Sequence, residues 1–154
     1  MTYWVIFFFA AVKTLINPKE KWSPIFCILI ISFFVCFIGL RYRIGTDWAN
    51  YGAYLIKFSN PDLILSQREF LFGVVNYISL NLGTDLFGVN FFCATIFAIG
   101  LVAFCKNLPR PWLALTISIP YLVTVISIGY VRQSVVMGLL LLGLLGLAEN
   151  KKIK

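Results

Sequence analysis

Two arginines, an aspartate and three aromatic rings crowd into GLRYRIGTDWANY, residues 39–51, at the end of the apolar run PIFCILIISFFVCFIG. The order R-x-R-x-x-x-D-x-x-x-Y sets Arg41 and Arg43 just ahead of a helix that Thr46 is suited to cap, and in that helix Asp47 and Tyr51 stand at i and i+4 on one face. Arginine presents a planar fork that binds phosphate through two hydrogen bonds at once. A carboxylate can take the proton of an attacking hydroxyl, and the rings of Trp48, Tyr51 and Tyr54 offer flat apolar faces to a sugar or a prenyl chain. Arg68 with Glu69, and Arg132 with Gln133, are the further polar groups that a folded bundle can bring to the same place. The sum is a basic pocket with two carboxylates, suited to a lipid-linked diphosphate.

Each of these residues also has a purely structural reading. Arg41 and Arg43 can end a helix, Asp47 can cap one, Glu69 can serve the S-x-x-E capping box of Ser66–Glu69, and the rings can form an interfacial belt. The elements that must position these residues decide between the readings.

The chain of 154 residues is 60% hydrophobic and 12% charged, with a mean hydropathy of +0.90. A soluble domain is roughly 45–50% apolar, and here the apolar runs recur as far as Ala148, beyond the reach of a removable leader. The composition therefore specifies an all-α, polytopic membrane protein in a single transmembrane domain over residues 1–154. Its formal charge of +7 is read as loop charge that sets orientation and meets anionic lipid, and no nucleic-acid motif accompanies it. Cys27, Cys36, Cys93 and Cys105 lie inside apolar runs without CxxC spacing, and no histidine completes a metal set, so no metal site and no cofactor is expected.

A helix needs about 20 mostly apolar residues to cross the hydrocarbon core. The pattern predicts spans over Thr2–Ile16, Trp22–Leu40, Gly88–Cys105, Trp112–Ile128 and Val131–Ala148. The last two form one run of about 55 Å if straight, nearly twice the core thickness, so it must fold back, and Gly129 and Arg132 mark the bend. Phe70–Leu82 is short enough to be interfacial or re-entrant, with its helix starting at the capping box. If it does not cross, Lys13, Lys19, Lys21, Lys106, Arg110 and the KKIK tail share the cytoplasmic side, while Arg41, Arg43, Lys57, Arg68 and Arg132 lie outside, on or near an extracytoplasmic loop over residues 41–69. A topology in which every segment crosses, with the N-terminus inside, also places most of the charge in the cytoplasm. Gly138, Gly143 and Gly146 are expected to let helices approach closely.

The segment GLRYRIGTDWANY resembles the G-x-R-x-x-x-G-x-D-x-x-x-Y signature of EpsG-like polysaccharide polymerases, relatives of the Wzy O-antigen polymerases. REFLF at 68–72 resembles their E-P-x-F element, with Phe70 in place of the proline, and YVRQSVVMG at 130–138 resembles their R-Q-x-x-A helix start, without the alanine. The resemblance implies a multi-pass protein of the bacterial cytoplasmic membrane that moves a glycan from its polyprenyl diphosphate onto the next lipid-linked repeat unit, alongside other polysaccharide assembly proteins. It assigns catalysis to Arg41, Asp47, Glu69 and Arg132, and substrate binding to Arg43, Trp48, Tyr51, Tyr54, Arg68 and Gln133. Family members run longer and carry a phenylalanine-histidine pair, so this chain is expected to be an N-terminal portion. A lipid-linked oligosaccharide flippase and a non-catalytic membrane subunit are the alternatives.

Overall fold

The computed structural model describes residues 2–45, 50–52 and 70–150. Its regular elements among these are all helices: α1 (Thr2–Ile16), α2 (Pro24–Gly39), α3 (Phe70–Asn81), α4 (Asp85–Lys106), α5 (Pro111–Ser118) running on into a π-helix (Ile119–Ser127), and α6 (Val131–Asn150). The boundaries follow local chemistry. Ser23 caps α2 by accepting the Phe26 N–H at 3.2 Å, and Pro24 stands in the first turn, where a missing N–H costs nothing. Pro111 opens α5 in the same way. The chain breaks after Ile128–Gly129 and restarts at Val131, which is the fold-back the apolar run required.

The π-helix was not legible as such. Pro120 has no N–H to give to the carbonyl of Thr116, so a regular α ladder cannot pass through it. The wider winding carries the chain past the gap and delivers the Ile128 N–H to the carbonyls of Val123 and Val125.

This is a helical membrane protein. Asp85–Lys106 and Val131–Ala148 are each long and apolar enough to cross a bilayer alone, and the other apolar helices are shorter. Trp4, Phe8, Phe9, Leu15, Ile25, Ile28, Leu139 and Leu147 lie exposed, a display that water would penalise and acyl chains accept. The interior holds Phe34, Ala94, Phe97, Ala98, Leu101, Trp112 and Val123.

Pairwise contacts fix the directions. Tyr3 of α1 meets Phe37 of α2, so these helices are antiparallel. At the opposite end, Trp112 donates to Glu20 at 2.9 Å and packs against Trp22, with the Lys13 ammonium over its ring. Helices α4 and α6 run parallel: Val131 clusters with Val89 and Cys93, and Gly138 lies against Ile96 and Phe97. A Cβ on Gly100 would come within 2.2 Å of the Gly138 carbonyl oxygen, so two glycines face each other at the crossing. Gly143 and Gly146 are a correction to the sequence reading, since a Cβ on either would meet open space.

The chain leaves α2 and re-enters α4 at the same end of the bundle. Gly39 abuts the Phe91 ring, and Tyr42 stacks on Phe87 at 6.3 Å. The described part of α3 has 12 residues, or about 18 Å, against a core of about 30 Å. It lies against the first turns of α4, where the Ser79 hydroxyl meets that of Thr84 at 3.0 Å and donates to the Asp85 carbonyl. The start of α3 relative to the capping box lies outside the described residues. Single cysteines placed in a background lacking the native ones test this arrangement. Leu82→Cys and Gly129→Cys are expected to react with an impermeant maleimide from one side of the membrane and Leu108→Cys only from the other. Reaction of Leu82→Cys and Gly129→Cys from opposite sides would overturn it.

Candidate functional site

The site-bearing segments converge on the end of the bundle where α2 finishes and α4 and α6 begin. Arg41 follows the α2 cap directly and turns inward, leaving only 5% of its surface exposed. Its Nη1 donates to the carbonyl of Ser127 at 2.8 Å and to that of Ile128, and its Nη2 donates to Asn90 Oδ1 at 3.3 Å. Nε of Arg41 and Nδ2 of Asn90 are buried without a hydrogen-bond partner. Burial pushes the Arg41 pKa below its ordinary value, and the neighbouring Tyr51 acts in the opposite direction. A guanidinium keeps its proton inside proteins, so a positive charge sits here at neutral pH.

Arg43 points the other way. It is exposed, has a left-handed backbone (φ 52°), and holds its guanidinium 5.2 Å from the Tyr42 ring, which in turn stacks on Phe87. Gly45 has φ +110°, and a Cβ there would lie 2.9 Å from the Ile128 oxygen and 3.0 Å from that of Gly129. A glycine is therefore required both by conformation and by space.

Residues 50–52 are helical, the helix start expected at Thr46 lies outside the described residues, and Tyr51 is buried at 3% exposure. It packs in a small apolar cluster with Val89, Cys93 and Val131, bordered by Phe72 and Val75 of α3 and by Val135 of α6. Arg132, in the first turn of α6, places its guanidinium 5.9 Å from the Tyr51 ring and 5.6 Å from the Phe72 ring, the two rings being 5.8 Å apart. The cation thus lies over both rings and is attracted by their quadrupoles. Gln133 is exposed beside it.

Of the residues singled out from the sequence, Arg41, Tyr51 and Arg132 are brought together, with Arg43 and Gln133 exposed on the same end of the bundle. Asp47, Trp48, Tyr54, Arg68 and Glu69 lie outside the described residues. The sequence reading passed over Asn90 and gave Phe72 no role of its own. Asn90 had a signal: it is the one amide in the apolar stretch from Leu86 to Cys105, and a polar residue inside a membrane helix is a functional candidate by default. Asn76 of α3 has the same signature. It is fully buried and donates to the Phe72 carbonyl at 2.7 Å, which steadies the turn carrying that ring.

The fold and site define a class: a helical membrane protein with an arginine and aromatic cluster built where three separated segments meet at one end of the bundle. A family model described as the EpsG family matches residues 24–154, which takes in all three segments, and the chain belongs to the EpsG family. No curated protein and no solved structure matches it.

Proposed function

We propose that the protein acts in polymerising a surface polysaccharide, as a glycosyltransferase that moves a glycan from polyprenyl diphosphate to a lipid-linked repeat unit at the outer face of the bacterial cytoplasmic membrane. Family membership supports the polymerase class. The observation that carries the chemistry is the meeting of Arg132, Tyr51 and Phe72, one from each motif-bearing segment. In this reading Arg132 neutralises the departing diphosphate, an interaction between a cation and a developing anion that is strongest where water is scarce. In the same reading the exposed Arg43 guanidinium meets a second phosphate. Asp47 or Glu69 takes the proton of the attacking sugar hydroxyl. Gln133 and Arg68 bind substrate, and Trp48, Tyr51 and Tyr54 supply apolar faces to sugar or prenyl chain.

Loss of the protein is expected to leave single repeat units, linked to lipid or already transferred, on the outer face of the membrane. Capture of those units by an impermeant glycan-labelling reagent on whole cells is the measurement. Units trapped on the cytoplasmic face would instead assign a flippase, and polymer of normal length would remove the polymerase reading.

A further inference from the structure

We infer that Arg41 and Asn90 are positioning residues of this site, a buried clamp that holds the turn between the π-helix and α6 and so sets where Arg132 stands. The inference rests on the reading of Arg132 given above and departs from a direct role for Arg41 in holding phosphate. Ser127 and Ile128 end the π-helix, and the chain breaks before Val131, so their carbonyls face the problem of every helix end, an acceptor without a following turn to fill it. Arg41 brings donors to both. An arginine that is 95% removed from solvent is tolerable only where its donors are used, and two of its three nitrogens are turned toward protein. Asn90, itself 4% exposed, accepts from the far side of the fork and fixes the plane of the guanidinium.

The surrounding backbone is shaped to the same end. Gly39 lets the end of α2 close on Phe91, one residue from Asn90, and Gly45 lets the segment after Arg41 lie on the Ile128 and Gly129 carbonyls. Residues 39–45 thus form a strap across the turn, with Arg41 as its fastening. Arg132 lies four residues beyond Ile128, in the first turn of α6, so a shift of the turn moves its guanidinium relative to the rings of Tyr51 and Phe72. A lysine in place of Arg41 keeps the charge but cannot reach two carbonyls and an amide in one plane.

The test reads the turn and the chemistry separately. Gly129→Cys places a thiol on the turn where a Cβ meets open space, in a background with Cys36, the exposed native cysteine, changed to alanine. Its maleimide labelling rate is measured on the detergent-solubilised protein, and polymer length on cells carrying each variant. Arg41→Lys and Asn90→Ala are each expected to raise the labelling rate about tenfold, in line with loss of a buried charge-assisted hydrogen bond, and to shorten the polymer in parallel. Asn90→Asp, which keeps an acceptor for Arg41, is expected to restore the wild-type rate. Unchanged labelling in Arg41→Lys and Asn90→Ala, with polymer lost, would overturn the clamp and return Arg41 to direct contact with substrate. Faster labelling with polymer untouched even in Arg132→Ala would leave the clamp standing and sink the functional reading instead. If Asn90→Ala does not accumulate, Asn90→Ser is measured in its place with the same outcomes.

Discussion

Cells carrying Arg132→Ala are expected to make no long-chain polymer while keeping the protein in the membrane at its normal level. The side chain is half-buried in the first turn of α6, beside the rings of Tyr51 and Phe72, so truncation removes a charge from their surface without opening the bundle core. In acyl-transfer sites, loss of one donor aimed at developing negative charge slows the chemical step by about 10²- to 10³-fold, and a full charge on a departing diphosphate asks for at least as much. Arg132→Lys separates charge from shape: it keeps the cation but loses the planar fork that can bind a phosphate through two hydrogen bonds. It is expected to give short chains in reduced amount. Glycan ladders resolved on a gel, beside an immunoblot of the membrane fraction, supply both readings. Normal long chains from Arg132→Ala would remove this residue from the site.

The second large effect concerns stability and is expected from Gly100→Leu. The nearest atoms to a new Cβ at Gly100 are the oxygen, carbonyl carbon and Cα of Gly138, all backbone, at 2.2 to 2.8 Å. No rotamer change relieves a clash with backbone, so α4 and α6 must separate and give up their packing along the crossing. Overpacking in a core costs about 1–3 kcal/mol when side chains can yield, and here it is expected to exceed that range and to deplete the folded protein in the membrane. Gly143→Ala makes the contrast, because the space beside it is open and a helical alanine gains about 0.5–1 kcal/mol over glycine. The thermal aggregation midpoint of solubilised protein measures both, and equal midpoints would show that the glycine crossing does not hold the bundle.

Much of this architecture could be read from hydropathy alone. The break near Gly129 followed from a run too long for a bilayer. That is an argument about length, which tertiary context does not override. The π-helix escaped because its winding depends on how the carbonyls around Pro120 are satisfied, and periodicity in so apolar a stretch carries no phase. The glycines show the same division: Gly100 and Gly138 matter because they meet, while a Cβ on Gly143 or Gly146 would meet no atom of the described residues within 4 Å.

The candidate site was legible by residue type and not by role. Arg41 and Arg132 look alike in the sequence, each an arginine beside a membrane helix, yet one is folded into the interior against carbonyls and the other rests on aromatic faces. That difference is set by Asn90 and by the turn after the π-helix, both far from Arg41 along the chain.

The return of the chain to one end of the bundle between α2 and α4 has a consequence for how such a protein can diversify. Orientation in a membrane is a parity: each added crossing inverts everything downstream, whereas an excursion that comes back to its own side changes nothing beyond itself. The chain leaves α2 beside Phe91 and returns at Asp85 on the same end of the bundle. An insertion between α2 and α4 that returns to the same end leaves α4, the π-helix and α6 in their direction, and Arg132 keeps its side.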